Sequence, residues 1–191
     1  MWNVKWMVLA TAFWMPSPAR NESPVKEESV IYWSPKTKLI GSDFKRPPLK
    51  ESHFSAGSHL GTGLEISADN NHLRFTVKAY FVPDKSWIKV NDTDLLKHEQ
   101  AHFDIEEYYA RLIRKELGRI QVKGRPFDAV RAEADEMFAR MLAERTRCQD
   151  LFDEETGHSV KTDKEKEWED RIGEQLRETR AYASPELYFA L

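Results

Sequence analysis

The sequence predicts an α+β domain in which a small antiparallel sheet is followed by three helices. Leu73–Phe81 alternates apolar and polar side chains, which is the pattern of a half-buried strand. After residue 91, three long segments carry apolar residues at helical spacing, as amphipathic helices do. Because the strand patterns come first and do not alternate with the helical ones, the order favours α+β over a parallel α/β sheet.

Shorter segments extend the predicted sheet. Leu64–Ser67 alternates in the same way as Leu73–Phe81, and Asp69–Asn71 lies between the two. Asn and Asp tolerate left-handed backbone, so we expect a hairpin at this connection. Val30–Trp33 and Ser86–Val90 are rich in β-branched and aromatic residues and are predicted as further short strands.

The helix boundaries follow from capping signals. Asn91–Thr93 offers short side-chain acceptors for a helix N-terminus, and the predicted helix runs to about Leu117, just before a glycine. The second helix is predicted over roughly Phe127–Leu151 and the third over roughly Asp163–Tyr182. The predicted buried stripe of the second helix is Val130, Ala134, Met137, Met141 and Cys148.

Length, composition and charge limit the functional classes. The chain has 191 residues, 40% of them hydrophobic, which fits one domain with a real core. Its formal net charge is −3, so no basic excess favours nucleic acid or an anionic membrane as a partner. Cys148 is the single cysteine, so no disulfide forms within the chain.

The N-terminal segment predicts export. Lys5 precedes a largely apolar run over residues 6–15, and small residues then lead to a plausible cleavage point after Ala19. A run of ten residues is too short for a membrane anchor, which needs about 20. We therefore expect a location in the periplasm or outside the cell. The predicted organisation is a signal peptide at residues 1–19, a polar spacer at residues 20–28 and a single domain at residues 29–191.

The first predicted helix contains an HExxH motif, His98-Glu99-Gln100-Ala101-His102. On a helix, residues four positions apart differ by about 40° around the axis, so both imidazoles stand on one face. That spacing suits two nitrogen ligands of one Zn²⁺. The sequence therefore predicts a zinc site with His98 and His102 as ligands, on the active-site helix of a zincin-like fold.

Glu99 is the predicted catalytic residue. It lies about 100° around the helix from His98, too far to complete the ligand set easily but within reach of a water on the metal. A carboxylate there can accept a proton from that water and deliver it to a leaving amine. This chemistry predicts hydrolysis of a peptide bond.

The third ligand must come from elsewhere in the chain. We favour His158, because imidazole is a good zinc ligand and Gly157 allows the chain to turn back after the second helix. Glu133, Glu155 and Asp153 are also candidates for this position.

Several segments around the motif carry a family resemblance. The sequence resembles a bacterial family of domains of unknown function described as predicted secreted zinc-dependent proteases, within the wider HExxH metallopeptidase grouping. The resemblance rests on Leu95–Ile105, Trp33-Ser34, Ser42–Phe44, Ser86-Trp87, Phe152–His158, Trp168 and Ile172.

This resemblance implies export, a single α+β domain and a zinc site with Glu99 as base. It also implies that the segment from Asp153 to His158 forms part of the site. The family pattern has Gly after His158, whereas this chain has Ser159.

The leading functional hypothesis is a secreted zinc peptidase that acts on a peptide or protein substrate. The alternative is a non-enzymatic envelope protein in which a metal or a His–carboxylate cluster is structural. A third possibility is a metal-dependent amidase that acts on cell-wall peptide. The sequence does not fix the oligomeric state.

Overall fold

The computed structural model describes residues 6–8, 29–69 and 71–191. The predicted signal peptide and polar spacer lie outside the described residues, apart from the backbone of strand β1, Trp6–Val8. The described part is an α+β assembly of two small antiparallel sheets and three helices. The predicted fold class is confirmed at this level.

A long hairpin forms the centre of the larger sheet. Strand β4, Leu60–Ala68, pairs antiparallel with β5, His72–Phe81, in continuous register from Leu60 opposite Phe81 to Ala68 opposite Leu73. The predicted hairpin is confirmed, and β4 begins four residues earlier than its alternating pattern indicated. Apolar side chains of β5 are buried at alternate positions from Leu73 to Phe81, so this face of the strand supports the core.

Both edges of the hairpin carry further strands. Strand β1 pairs with β4, while β2, Ile31–Tyr32, pairs with one end of β5. The other end of β5 pairs with β7, Glu186–Ala190. Strand β7 was not expected, because the sequence pattern placed all strands before the helices.

A second sheet has only two short strands, β3 at Ala56–Gly57 and β6 at Trp87–Ile88. Strand β6 lies within the predicted segment Ser86–Val90. Its partner β3 was not predicted, because a two-residue strand has no measurable alternation. This small sheet stands immediately before the first helix in the chain.

Three helices follow, and their bounds are α1 Thr93–Leu117, α2 Phe127–Thr156 and α3 Thr162–Glu178. Helix α2 continues five residues past its predicted end at Leu151, and Gly157 ends it in a left-handed conformation with φ 60°. Helix α3 is shorter than predicted, because residues 180–182 form a 3-10 turn. Within residues 29–69 and 71–191, no helix combines the length and apolar character needed to cross a bilayer.

Two groups of apolar side chains hold these elements together. The larger group joins the inner face of β4 and β5 to α1 and to the predicted stripe of α2, where Val130, Ala134, Met137 and Met141 are buried. The smaller group joins all three helices and consists of Ile105, Phe152, Trp168 and Ile172. Its members lie beside the HExxH turn of α1, so packing of α2 and α3 fixes the surroundings of that turn.

A buried ionic clamp ties α1 to the sheet. Arg114 is 2% exposed and donates to both carboxylate oxygens of Glu107, to the carbonyl oxygen of Val77 on β5 and to that of Tyr182. These bonds use the full donor set of the guanidinium. A buried charge is tolerated only when it is paired and hydrogen-bonded in this way.

Replacing Arg114 with Met should lower the free energy of unfolding by about 3 kcal/mol or more, because it leaves buried carbonyls and part of the Glu107 charge without a donor. Urea denaturation measures this change. The matched control is Arg119→Met, two residues past the end of the same helix, where the side chain is 63% exposed and the expected change is within about 0.5 kcal/mol. Equal effects of the two substitutions would contradict the clamp.

Candidate metal centre

Helix α1 presents the two histidines of the motif on one buried face. Asp92 caps the helix by accepting from the amides of Asp94 and Leu95 at 3.0 and 3.1 Å, which satisfies donors that the first turn leaves open. His98 and His102 then follow one turn apart, with side chains 4% and 12% exposed. The predicted shared face is confirmed.

Asp153 from α2 completes a group of three donor atoms. Nε2 of His98, Nε2 of His102 and Oδ1 of Asp153 lie 3.1 Å from one another. Ligands bound tetrahedrally to zinc at about 2.0–2.1 Å are about 3.3 Å apart. The triangle therefore has the size that one such ion requires, and these residues could hold a metal ion. Two imidazoles and a carboxylate suit Zn²⁺, and also Fe²⁺.

The outer nitrogens of both rings face acceptors. Nδ1 of His98 lies 2.8 Å from Oε1 of Glu165 on α3, and Nδ1 of His102 contacts Oε1 of Gln149 on α2. The Gln149 amide is oriented by its Nε2, which donates to the His102 carbonyl oxygen and to Glu106. Each ring can therefore donate from Nδ1, and in its neutral form its Nε2 then carries a lone pair directed at the common centre.

Phe152 fixes the planes of the rings. It is fully buried and stacks on His98 with the ring centroids 4.7 Å apart, while its edge meets His102 at the same distance. Trp168 of α3 packs against the other side of Phe152 at 5.4 Å. Packing on both sides limits rotation of the imidazoles, as a preorganised metal site requires.

Without a metal ion, protonated His98 and ionised Asp153 form an ion pair. Burial opposes protonation of His98, but hydrogen bonds to Asp153 and Glu165 outweigh it and raise the His98 pKa to about 9. Burial likewise opposes ionisation of Asp153, yet the bonds from His102 and His98 hold the pKa of its carboxyl well below the ordinary value. A metal ion must therefore displace a proton from His98 at neutral pH.

Glu99 lies beside this group and is 5% exposed. Its Oε2 accepts a hydrogen bond from the hydroxyl of Ser58, the residue after β3. Both side chains line a cleft of about 320 Å³, together with all three converging donors. The cleft runs from the loop before β3 on one wall to α2 on the other, so Glu99 and the donors open into one space.

His158 lies outside the triangle and contacts it through Asp153. Its Nδ1 is 3.2 Å from Oδ1 of Asp153, and its side chain is 50% exposed. The ring also packs on Phe54 across the cleft, with centroids 4.8 Å apart. Because α2 continues to Thr156, Asp153 belongs to its last turns and faces α1, whereas His158 follows the helix end. Among the described residues, the converging group contains Asp153 and not the favoured His158.

The two glutamates that the sequence offers as third ligands have partners away from the triangle. Glu133 pairs with Arg125 at 2.6 Å, and Glu155 accepts from the indole of Trp168 at 2.7 Å. Neither residue lines the cleft. Ser159, at the position where the family pattern has Gly, has φ 72°, a left-handed conformation that costs an L residue about 1–2 kcal/mol.

Two contributors to the site were missed from the sequence. Gln149 is four residues before Asp153, so extending the predicted α2 by one turn past Leu151 would have placed both on the face toward α1. Glu165 had no usable signal, because its approach to His98 depends on how α3 packs.

The residues that carry the family resemblance around the motif also have a structural explanation. Gln100 accepts from the amide of Leu39 at 2.9 Å and donates to Asp104 at 2.9 Å. Asp104 in turn accepts from the indole of Trp33 at 2.6 Å. These bonds attach the segment that follows β2 to the side of α1 next to the metal-site face.

Comparison with protein families finds a match to part of the chain. A family model described as "Bacterial protein of unknown function (DUF922)" matches residues 83–159. The matched segment spans β6, α1 and α2, and so includes His98, Glu99, His102 and Asp153. The description names no activity. No curated protein and no solved structure matches the chain.

Asp153→Asn should weaken zinc binding by more than about 100-fold, because it replaces the charged oxygen of the triangle with a weaker neutral amide oxygen. The effect should exceed the 10–100-fold loss that is typical when a partner outside the ligand set is changed. His158→Ala should weaken binding less than tenfold, since His158 contacts only Asp153 in this group. Competition against a chromophoric chelator measures both affinities. Asp150→Asn, on the exposed side of α2, is the control. The reverse ranking of Asp153 and His158 would restore His158 as the ligand.

Glu165→Gln should reduce zinc affinity about tenfold, because a neutral amide supports the His98 imidazole less well than a carboxylate does. The same competition titration reports the change. Glu169→Gln, exposed on the same helix, should leave the affinity unchanged. If the two variants bound zinc equally well, Glu165 would have no role in orienting His98.

Proposed function

We propose that this protein is an exported zinc-dependent peptidase of the HExxH type, with a zincin-like active-site helix. The observation that carries the proposal is the 3.1 Å triangle of His98, His102 and Asp153 beside the buried carboxylate of Glu99 in one open cleft. Fe²⁺ would suit the same three donors, but a buried carboxylate beside them is what water-based hydrolysis requires.

Three ligands fit a catalytic centre better than a structural one. A structural zinc is enclosed by four protein ligands, whereas a catalytic zinc keeps one position for water or substrate. The described donors number three, and Asp153 is 31% exposed on the side of the cleft. This opening favours the enzyme over the alternative of an envelope protein with a structural metal.

The proposed reaction divides its roles among a few side chains. Bound zinc supplies a Lewis acid that acidifies water and polarises a carbonyl group. Glu99 accepts a proton from the attacking water and transfers it to the nitrogen of the leaving amine. The Ser58 hydroxyl holds one Glu99 oxygen, which leaves the other oxygen for the proton.

The edge of β3 suits an extended peptide. The amide of Lys89 donates to the Ser55 carbonyl oxygen at 2.8 Å, and Gly57 lies opposite Trp87. The backbone groups of Ser55 and Gly57 therefore face β6. In an antiparallel ladder the residue between them directs its backbone groups to the opposite side. Ala56 therefore offers an N–H and a carbonyl at the cleft, where a substrate strand could pair.

The N-terminal segment supports export. The apolar run of residues 6–15 after Lys5 and the small residues before Ala19 have the form of a cleaved signal. A peptide or protein substrate in the periplasm or outside the cell follows from this location.

Glu99→Gln should lower kcat/KM about 10³-fold, because general-base catalysis contributes roughly 10²–10⁴, while zinc content stays at one per chain. Hydrolysis of a quenched fluorescent peptide library and of casein measures activity, and metal analysis measures zinc. Glu116→Gln, on the same helix away from the cleft, is the matched control.

Cleavage that survives Glu99→Gln would contradict the mechanism. Cleavage of peptidoglycan fragments but not of casein or peptides would instead identify an amidase that acts on cell-wall peptide. Loss of folding on chelation, with no hydrolysis of any substrate, would support an envelope protein with a structural metal.

A further inference from the structure

A second cavity lies apart from the metal cluster. It has a volume of about 290 Å³ and lies between the segment after β2, strand β5 and the middle of α1. Its lining includes the apolar side chains of Trp33, Pro35 and Pro185. We call it the Trp33 cavity. Its size is at the lower end for ligand pockets, about 300–1,000 Å³.

Positive charge exceeds negative charge in the lining of the Trp33 cavity. Lys78, Arg111 and Arg114 line it, together with a single carboxylate, Glu107. Arg111, Arg114 and Glu107 are 4%, 2% and 3% exposed. Burial of two guanidinium groups against one carboxylate leaves an excess charge in a region where unpaired charge is unfavourable.

A neighbouring carboxylate does not remove the excess. Asp104 does not line the cavity and already accepts from the Trp33 indole and the Gln100 amide. Burial raises the pKa of the Asp104 carboxyl. Counting Asp104 as fully ionised still leaves three cations against two anions.

The two guanidinium groups differ in their remaining capacity. Arg114 directs its whole donor set at Glu107 and the carbonyl oxygens of Val77 and Tyr182. Arg111 donates from Nε to Glu107 and from Nη1 to the Leu176 carbonyl oxygen, which uses two of five N–H groups. The Arg111 guanidinium also lies 5.3 Å from the centre of the Trp33 ring, so an indole wall stands beside a cation that can still donate.

We propose that the Trp33 cavity binds a small organic carboxylate, with the anion at Arg111 and Lys78 and the apolar part against Trp33. A planar carboxylate matches the fork of a guanidinium. The apolar wall favours an organic anion over inorganic phosphate. Lys78, whose ammonium lies 5.0 Å above the Tyr32 ring, adds a second cation at a partly exposed position.

Benzoate is the probe, because it joins a carboxylate to an apolar ring. At constant ionic strength it should raise the thermal midpoint of the full chain and change tryptophan fluorescence with the same saturable dependence on concentration. Benzyl alcohol, which lacks the charge, and phosphate, which lacks the ring, should each bind at least about tenfold more weakly.

Two variants locate the binding. Arg111→Lys should weaken benzoate binding about tenfold or more, because it removes the planar donor pair. Lys78→Met should weaken it about fivefold at a position that is not part of the buried clamp. Lys123→Met, at an exposed position outside the cavity, is the control and should bind as the parent does.

The proposal fails if benzoate has no saturable effect, which would make the charge excess a purely structural feature. It also fails if Lys78→Met binds benzoate as tightly as Lys123→Met, since benzoate would then occupy another site such as the metal centre. Equal binding of benzyl alcohol and benzoate would likewise overturn it, because recognition would not involve the carboxylate. If Arg111→Lys does not fold, the Lys78 comparison still decides the outcome.

Discussion

The antiparallel packing of α2 against α1 is the constraint on which the candidate site depends. Along this contact, Asp153 meets the two histidines, Gln149 meets His102, and Arg145 pairs with Glu106 at 2.9 Å. The members on each helix are four residues apart, so they share one face. A rotation or slip of either helix would separate all three contacts at once, and the metal-site triangle would open.

The cost of placing these polar groups in a buried seam is offset by satisfying nearly all of them. Glu106 is fully buried, but it accepts hydrogen bonds from Thr62 and Gln149 and forms an ion pair with Arg145. The exception among the described residues is Nε of Arg145, which has no partner. The apolar group around Phe152 and Trp168 then holds α3 in place, and α3 brings Glu165 to His98. Rigidity in the seam thus comes from hydrogen bonds on one side and aromatic packing on the other.

Local sequence patterns were sufficient for the framework. The alternation of Leu73–Phe81 identified β5, and the HExxH spacing placed His98 and His102 on one face, because both patterns depend only on backbone periodicity. Strand β7 was missed, because pairing of the chain end with β5 is a long-range choice that its five residues do not encode by themselves. Strands β2 and β6 have two residues each, so the sequence located them only within longer predicted segments. Strand β3, also of two residues, was not predicted at all.

The third donor atom of the triangle shows most clearly what local sequence patterns could not predict. Favouring His158 rested on residue chemistry and on ending α2 at Leu151, whereas the observed helix continues to Thr156 and aims Asp153 at α1. The family resemblance pointed to the segment from Asp153 to His158, but the choice of a residue within it needed the helix boundary. Glu165 lies beyond any local pattern, since only the packing of α3 brings it to the site.

Zinc-edge anomalous diffraction from crystals of the zinc-loaded protein tests the central claim most directly. The account predicts one anomalous peak about 2.0–2.2 Å from Nε2 of His98, Nε2 of His102 and Oδ1 of Asp153, with a non-protein oxygen at the remaining position. A peak enclosed by four protein ligands, or the absence of a peak between α1 and α2, would contradict it.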